Sequence, residues 1–154
     1  MYRILFVCTG NTCRSPMAEA ILKQQLLEAG IPNIEVKSAG VAAGTGFPMS
    51  EGALHALSQR QIPGQEHMSQ MFTEELGNWA DLILTMTTSH KQLVGNRFPQ
   101  FLDKVFTLKE YAGGYSDWDI ADPFGGGQED YNQSADEIEQ AILKIVPTLQ
   151  KFDT

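Results

Sequence analysis

Four short apolar runs recur along the chain, and longer segments of helical spacing separate them. Three of the runs have the length and the β-branched or aromatic content of buried strands. The run at 34–38 instead alternates apolar and polar residues, which is typical of a strand at or near a sheet edge. The pattern predicts strands at residues 4–7, 34–38, 82–84 and 105–107.

Helical spacing fills most of the intervals between these strands. Residues 17–30, residues 49–60 and a C-terminal stripe carry apolar side chains at the interval of an amphipathic helix. Thr73 resembles the N-cap of a short helix, and Ser89 resembles the start of a capping box that opens another. Pro147 is expected to kink or fray the last turn of the final helix. The C-terminal stripe consists of Ile138, Ala141, Ile142, Ile145 and Leu149.

The alternation of strands and helices predicts the fold class. Such an order is typical of an α/β three-layer sandwich, here with a four-stranded parallel sheet covered on both faces. Ligands of these sheets bind at the carboxyl ends of the strands. We expect a single domain over residues 1–154, because no repeat, low-complexity tract or linker interrupts the pattern.

The turn between the first strand and the first helix is the candidate phosphate loop. Cys8 lies at the carboxyl end of the strand, and five residues separate it from Arg14 in the first helical turn. A ring of backbone N–H groups that opens on a helix N-terminus binds anions. Gly10 and Asn11 suit a tightly curled loop, because both residue types tolerate backbone that others avoid. The predicted phosphate-binding residues are Thr9, Gly10, Asn11, Thr12, Cys13, Arg14 and Ser15.

Cys8 and Arg14 have the properties of a nucleophile and of an oxyanion ligand. The guanidinium fork of Arg14 matches two phosphoryl oxygens in a geometry that a lysine does not offer. The positive potential of the loop is expected to lower the thiol pKa of Cys8, so that a thiolate faces the bound group. A core cysteine followed by an ordinary surface arginine is the alternative, and it leaves the coincidence of these residue types unexplained.

Three stretches of the sequence resemble the low-molecular-weight protein tyrosine phosphatase family. Residues 7–16, Val-Cys-Thr-Gly-Asn-Thr-Cys-Arg-Ser-Pro, are similar to its phosphate loop, and residues 38–40 (Ser-Ala-Gly) and 122–126 (Asp-Pro-Phe-Gly-Gly) are similar to later motifs. The resemblance implies a cysteine-dependent phosphatase. In it Cys8 forms a phosphocysteine intermediate while Arg14 and the loop amides hold the phosphoryl oxygens. Ser15 would donate its hydroxyl to the thiolate, and a plain helix-cap role is its alternative.

The resemblance also selects a general acid. It places the acid in the Asp-Pro pair, and Asp122 would protonate the leaving atom and then activate water against phosphocysteine. From the residues alone, Asp117, Asp119 and Asp130 compete with Asp122, although a solvated loop face is the simpler interpretation of those three.

Thr12 and Phe124 are the predicted selectivity residues. Tyrosine phosphatases of the family usually have a large aliphatic residue in place of Thr12 and an aromatic pair after Asp-Pro, whereas here two glycines follow Phe124. This combination is similar to the protein arginine phosphatase branch, which implies arginine-phosphorylated proteins as substrates. A planar, cationic phosphoguanidinium suits a hydroxyl and a carboxylate, and a phenol ring would lack stacking partners here. Tyrosine phosphatase activity is the alternative. Trp118 and Phe124 are candidates for the pocket wall, and a packing role is the equal alternative for each.

Both cysteines of the chain, Cys8 and Cys13, lie in the candidate loop. A secreted disulfide scaffold uses more cysteines, spread along the chain. Arsenate reductases with a similar loop need later cysteines, and none follows Cys13. The resemblance implies a reversible Cys8–Cys13 disulfide that protects the nucleophile, and a small apolar residue under the loop is the alternative for Cys13. An inactive phosphoprotein-binding module or a thiol sensor is the non-catalytic hypothesis.

Charge and hydropathy limit the partners. A net charge of −8 disfavours a nucleic-acid partner, which needs a surplus of lysine and arginine. No apolar run approaches the roughly 20 residues of a membrane span, so we expect a cytoplasmic protein without a membrane partner. We also expect a monomer and no metal or other cofactor, because the thiolate and the arginine supply what a metal would. His55, His67 and His90 are predicted to be surface or structural residues.

Overall fold

The computed structural model describes residues 1–114 and 116–153. Its strands are β1 (Tyr2–Cys8), β2 (Ile34–Gly40), β3 (Leu82–Thr85) and β4 (Val105–Thr107). Its α-helices are α1 (Arg14–Ala29), α2 (Glu51–Ser58), α3 (Glu74–Trp79), α4 (Thr88–Arg97), α5 (Leu108–Tyr111) and α6 (Gln128–Leu149). Two 3₁₀ helices span Pro99–Lys104 and Gln150–Phe152.

The four strands form one parallel sheet with the order β2-β1-β3-β4. β1 pairs along its whole length with β2, so that Cys8 lies opposite Gly40, and its other side pairs with β3. The predicted parallel sheet and the edge position of the second strand are both confirmed. The order in which strands are added reverses at β1, since β2 lies on one side of it and β3 and β4 lie on the other. The carboxyl ends of the strands at such a switch point are where α/β folds bind ligands.

Successive residues of β1 face two different cores. Ile4 and Phe6 pack into a cluster with α1, α2 and α6, whereas Leu5 and Val7 pack against α4 and the segments around α3. All four side chains are fully buried, and each stabilises the fold by about 1.5–3 kcal/mol. Helices therefore cover both faces of the sheet, which confirms the predicted three-layer sandwich.

Two local predictions differ from the structure. The fourth α-helix is capped by Thr87 and not by Ser89, because the extended backbone of Thr87 directs its Oγ1 to the N–H of His90 at 3.2 Å. The final helix continues through Pro147 to Leu149 and only then tightens into the 3₁₀ turn. No helix within the described ranges combines the length and the apolarity needed to cross a membrane.

Candidate active site

The loop between β1 and α1 curls around the thiol of Cys8. Asn11 has φ 57°, the left-handed conformation that asparagine tolerates best among non-glycine residues, as predicted. Gly10 does not have a positive φ, and a Cβ there would meet only Thr12 Oγ1 at 3.9 Å. The prediction that Gly10 needs a glycine-only backbone is therefore wrong, because Asn11 makes the sharp turn.

A neighbouring glycine is required for a steric reason. Gly40 ends β2 against the loop, and a Cβ there would clash with the carbonyl oxygen of Thr9 and lie 3.0 Å from the N of Asn11. The carbonyl of Cys8 accepts from Val41 N–H at 2.9 Å, and that of Thr9 accepts from Ala42 N–H at 3.0 Å. The end of β2 thus fixes the first half of the loop.

Most amides of the loop are left for a ligand. In the described part of the chain, the N–H groups of Thr9, Gly10, Thr12 and Cys13 donate to no protein acceptor, while that of Asn11 points at Cys8 Sγ, 3.3 Å away. The first amides of α1 have no acceptor within the helix either. Free donors in a loop that opens on a helix N-terminus are typical of backbone that binds anions, and here they belong to the loop around the thiol of Cys8.

Cys8 is buried and is held by two donors. Its Sγ lies 2.8 Å from Ser15 Oγ and accepts from the amide of Asn11. Burial raises the pKa of the Cys8 thiol, while the Ser15 and Asn11 hydrogen bonds and the charge of Arg14 lower it. The predicted net lowering of this pKa is therefore wrong, because the thiol is removed from water.

Replacing Ser15 with alanine is expected to raise the pKa of the Cys8 thiol further, because the thiolate loses a hydrogen-bond donor. The pH dependence of iodoacetamide alkylation measures this shift, in a Cys13→Ser background where Cys8 is the only thiol. The alkylation midpoint should lie above that of an ordinary thiol and move to still higher pH in Ser15→Ala. Ser58→Ala, at an exposed serine, is the matched control. An unchanged midpoint in Ser15→Ala would refute the role of its hydroxyl.

The side chain of Asn11 organises the base of the loop. It is fully buried, and its Nδ2 donates to Ser15 Oγ at 2.8 Å and to Ser38 Oγ at 2.9 Å. Ser38 in turn donates to Glu19 Oε1 at 2.6 Å, and Asn11 Oδ1 accepts from Gln70 N–H at 2.9 Å. Since Ser15 Oγ accepts from Asn11, its one proton is left for Cys8 Sγ at 2.8 Å or for the carbonyl of Ala39 at 3.4 Å.

Arg14 and Asp122 meet at the mouth of the loop. Arg14 is only 5% exposed, and its Nη1 donates to the carbonyl of Ile120 at 3.0 Å. Its Nη2 lies 3.8 Å from Asp122 Oδ2, and the Asp122 side chain is 59% exposed. The other carboxylate oxygen accepts from the N–H of Phe124 at 3.0 Å. A solvent-facing carboxylate therefore stands beside the cation that would hold a phosphoryl group.

The competing carboxylates have other contacts. Asp119 Oδ1 accepts from the N–H of Thr88 at the start of α4, at 2.8 Å. Asp130 Oδ2 accepts from the N–H of Gly127 at the start of α6, at 3.0 Å. Asp117 lies in an exposed turn with φ 50°. Of the four, Asp122 is the one that forms an ion pair with Arg14.

A family model for low molecular weight phosphotyrosine protein phosphatases matches residues 3–153. The chain belongs to this family. The match confirms the family predicted from the three motif stretches, and it extends over almost the entire phosphatase chain.

The similar proteins include arginine phosphatases. A protein-arginine-phosphatase of Geobacillus stearothermophilus is 48% identical over 149 residues, which cover 97% of each chain. One of Bacillus subtilis is 47% identical over 148 residues, 96% of this chain and 97% of the relative. A solved structure of the YwlE arginine phosphatase, a mutant with a phosphorylated active-site serine, has a TM-score of 0.92 and 45% identity. It covers 97% of the phosphatase chain and 96% of its own.

The two predicted selectivity residues lie on different parts of this phosphatase site. Thr12 is half-buried in the loop, and its carbonyl accepts from the N–H of Ser50 at 2.9 Å. Phe124 is 79% exposed and lies two residues after Asp122. Trp118 is half-buried, and its Nε1 donates to the carbonyl of Gly114 at 2.8 Å. Neither aromatic ring forms a stacked pair at the mouth among the described residues.

Cys13 faces a separate set of side chains. Its Sγ lies 3.4 Å from Ser50 Oγ and 3.8 Å from the hydroxyl of Tyr131 on α6. Both cysteines are buried free thiols in this structure. The Cys8–Cys13 disulfide stays a prediction.

Two of the three histidines touch the loop. His67 Nε2 donates to the carbonyl of Asn11 at 2.7 Å, and His90 Nε2 lies 2.8 Å from Thr9 Oγ1. His55 is exposed and contacts Gln59. No local sequence motif indicates these two contacts, because His67 lies 56 positions from Asn11 and His90 lies 81 positions from Thr9.

Proposed function

We propose that this phosphatase is a protein arginine phosphatase, which hydrolyses phosphoarginine in proteins through a phosphocysteine intermediate. The observation that carries the proposal is the thiol of Cys8, 2.8 Å from a hydroxyl donor and inside a ring of free amides. The names of the two relatives support arginine as the phosphorylated residue.

The first step transfers the phosphoryl group to sulfur. Burial raises the pKa of the Cys8 thiol, so the thiol proton passes to solvent or to a phosphoryl oxygen as the substrate enters, and Asp122 takes up a proton from solvent. The thiolate attacks phosphorus in line, the P–N bond breaks, and protonated Asp122 gives its proton to the leaving guanidino nitrogen. Arg14 and the loop amides stabilise the charge on the three phosphoryl oxygens.

The second step releases phosphate. Asp122, now a carboxylate, removes a proton from a water molecule that attacks phosphocysteine, and the S–P bond breaks. The leaving thiolate receives the hydrogen bond of Ser15, for which Cys8 Sγ at 2.8 Å is a nearer acceptor than the carbonyl of Ala39 at 3.4 Å. The products are phosphate, the free arginine side chain and the thiolate, which regains its proton from solvent.

The shape of the mouth suits a phosphoguanidinium. Thr12 places a hydroxyl in the loop where tyrosine phosphatases of the family usually have a large aliphatic side chain. Asp122 is exposed beside Arg14, and as a carboxylate, before it takes up the proton that it donates, it would attract the cationic guanidinium. These are the contacts that a planar cation needs and that a phenol ring does not use.

Phosphate release from matched phosphoarginine and phosphotyrosine peptides tests the proposal. We expect wild-type kcat/KM to favour phosphoarginine, and Thr12→Ile to shift the ratio by roughly tenfold or more toward phosphotyrosine, since one or two apolar groups are worth that much discrimination. Thr148→Ile makes the same change on the exposed face of α6 and should leave the ratio unchanged. A wild-type preference for phosphotyrosine would instead support a tyrosine phosphatase.

The proposed substrates are arginine-phosphorylated proteins. We further propose that the enzyme acts as a monomer in the cytoplasm. The acidic net charge of −8 supports protein substrates over nucleic acids, because it repels a phosphodiester backbone.

A further inference from the structure

His90 links helix α4 to the first residue of the phosphate loop. Its ring is 4% exposed, and its Nε2 lies 2.8 Å from Thr9 Oγ1. Thr9 itself is exposed and directly follows the nucleophile Cys8. A buried ring therefore holds a hydroxyl that stands at the solvent side of the loop.

The ring is neutral at physiological pH. Burial, and then the charge of Arg14, lower the pKa of His90 to about 4, against the opposing effect of Asp119 and Asp122. A neutral imidazole has one N–H donor and one acceptor nitrogen. The direction of its bond to Thr9 therefore depends on which nitrogen carries the proton.

The second ring nitrogen decides between the two tautomers. His90 Nδ1 is buried and has no hydrogen-bond partner in the described part of the chain. An N–H without an acceptor is the rarer and costlier kind of buried orphan group in proteins. The favoured tautomer therefore leaves Nδ1 unprotonated and places the proton on Nε2, which donates to Thr9 Oγ1.

We infer that His90 is a positioning residue that makes the Thr9 hydroxyl a donor to the substrate. Since Thr9 Oγ1 accepts from His90, its own proton is free for an acceptor on the solvent side, where a phosphoryl oxygen would enter. The Thr9 side chain thus adds a hydroxyl donor to the amides of the loop. This role rests on the proposed phosphatase function, because it needs a phosphoryl group in the cradle.

Inorganic phosphate binding, measured by isothermal titration calorimetry, tests the inference without requiring turnover. Thr9→Val and His90→Leu should each weaken phosphate binding by roughly tenfold, the typical loss for one hydrogen bond to a charged oxygen. Thr9→Ser keeps the hydroxyl and His90→Gln keeps an amide N–H near the position of Nε2, so both should stay within about threefold of wild type. His55→Leu, at the exposed histidine, is the matched control.

The double variant Thr9→Val/His90→Leu separates this role from a general structural one. If His90 acts through Thr9, the double variant binds phosphate no more weakly than the poorer single variant, whereas independent losses multiply. Multiplying losses, an unchanged phosphate affinity in Thr9→Val, or a wild-type protein that binds no phosphate would each overturn the inference. If His90→Leu does not fold, His90→Phe, which keeps a planar ring and lacks the N–H, replaces it in the single and double variants.

The same variants distinguish this inference from the proposed function. A wild-type protein that releases no phosphate from phosphoarginine, combined with weakened phosphate binding in Thr9→Val, would contradict the substrate and leave the Thr9–His90 pair supported. Normal phosphoarginine turnover with unchanged phosphate binding in Thr9→Val would support the proposed function and contradict the role of the Thr9–His90 pair.

Discussion

Replacing Cys8 with serine is expected to abolish steady-state phosphate release, by at least on the order of 10⁴-fold in kcat. A hydroxyl is far less nucleophilic than a thiolate near neutral pH, and an alkoxide is a poorer leaving group in the second step. The substitution keeps every loop amide and the contact partner Ser15. The loss should therefore fall on the chemical steps and spare the binding of inorganic phosphate.

Phosphate release, phosphate binding and intact-protein mass spectrometry together test the role of Cys8. Any phosphoserine that forms in Cys8→Ser should persist, because it lacks a good leaving group. Cys13→Ser removes the other thiol and keeps its amide in the loop, so it should retain turnover within about an order of magnitude. Appreciable steady-state turnover by Cys8→Ser would eliminate the phosphocysteine mechanism.

Replacing Asp122 with asparagine is expected to lower kcat on phosphoarginine by about 10²- to 10⁴-fold, the usual contribution of general acid–base catalysis. Asparagine keeps an oxygen that can accept from the N–H of Phe124, so the loop conformation should survive. It removes the proton that the guanidino nitrogen needs and the base that activates water. With a nitrophenyl phosphate ester, whose leaving group needs no proton, the substitution should slow the first step, phosphoryl transfer to Cys8, less than it does with phosphoarginine.

Asp117→Asn is the matched control for this experiment. Asp117 has φ 50°, a conformation that asparagine accepts as readily as aspartate, and its exposed side chain forms no ion pair with Arg14 in the described chain. Its kcat should stay within about twofold of wild type, as for most surface substitutions. If Asp117→Asn lost activity and Asp122→Asn kept it, the general acid would have to be reassigned.

The local pattern predicted much of what the structure contains. Every strand, the parallel sheet and the helices on both faces follow from apolar runs and helical spacing, because buried strands and amphipathic helices depend on neighbouring residues. The sequence pattern assigns the start of α4 to Ser89, whereas the N-cap is Thr87. Several hydroxyl residues lie there, and only the backbone decides which of them reaches an amide.

The sequence predicts the candidate site well where its residues are neighbours in the chain and less well where they are distant. Cys8, Arg14 and Ser15 lie within one strand-to-helix turn, so their spacing in the sequence predicts that they lie close together, as Cys8 and Ser15 do. Asp122 could be separated from Asp119 only by the resemblance, and the structure supplies the physical distinction: Asp119 caps a helix, and Asp122 stands beside Arg14.

The sequence by itself thus determined the order of the elements and the position of the candidate phosphate loop between β1 and α1. Only the tertiary structure decided which distant side chains support that loop, namely Gly40 against its backbone, Gln70 on Asn11 and His90 on Thr9. It also decided the direction of the Cys8 pKa, because the loss of water around a thiol depends on how the whole chain packs over it and not on its neighbours in sequence.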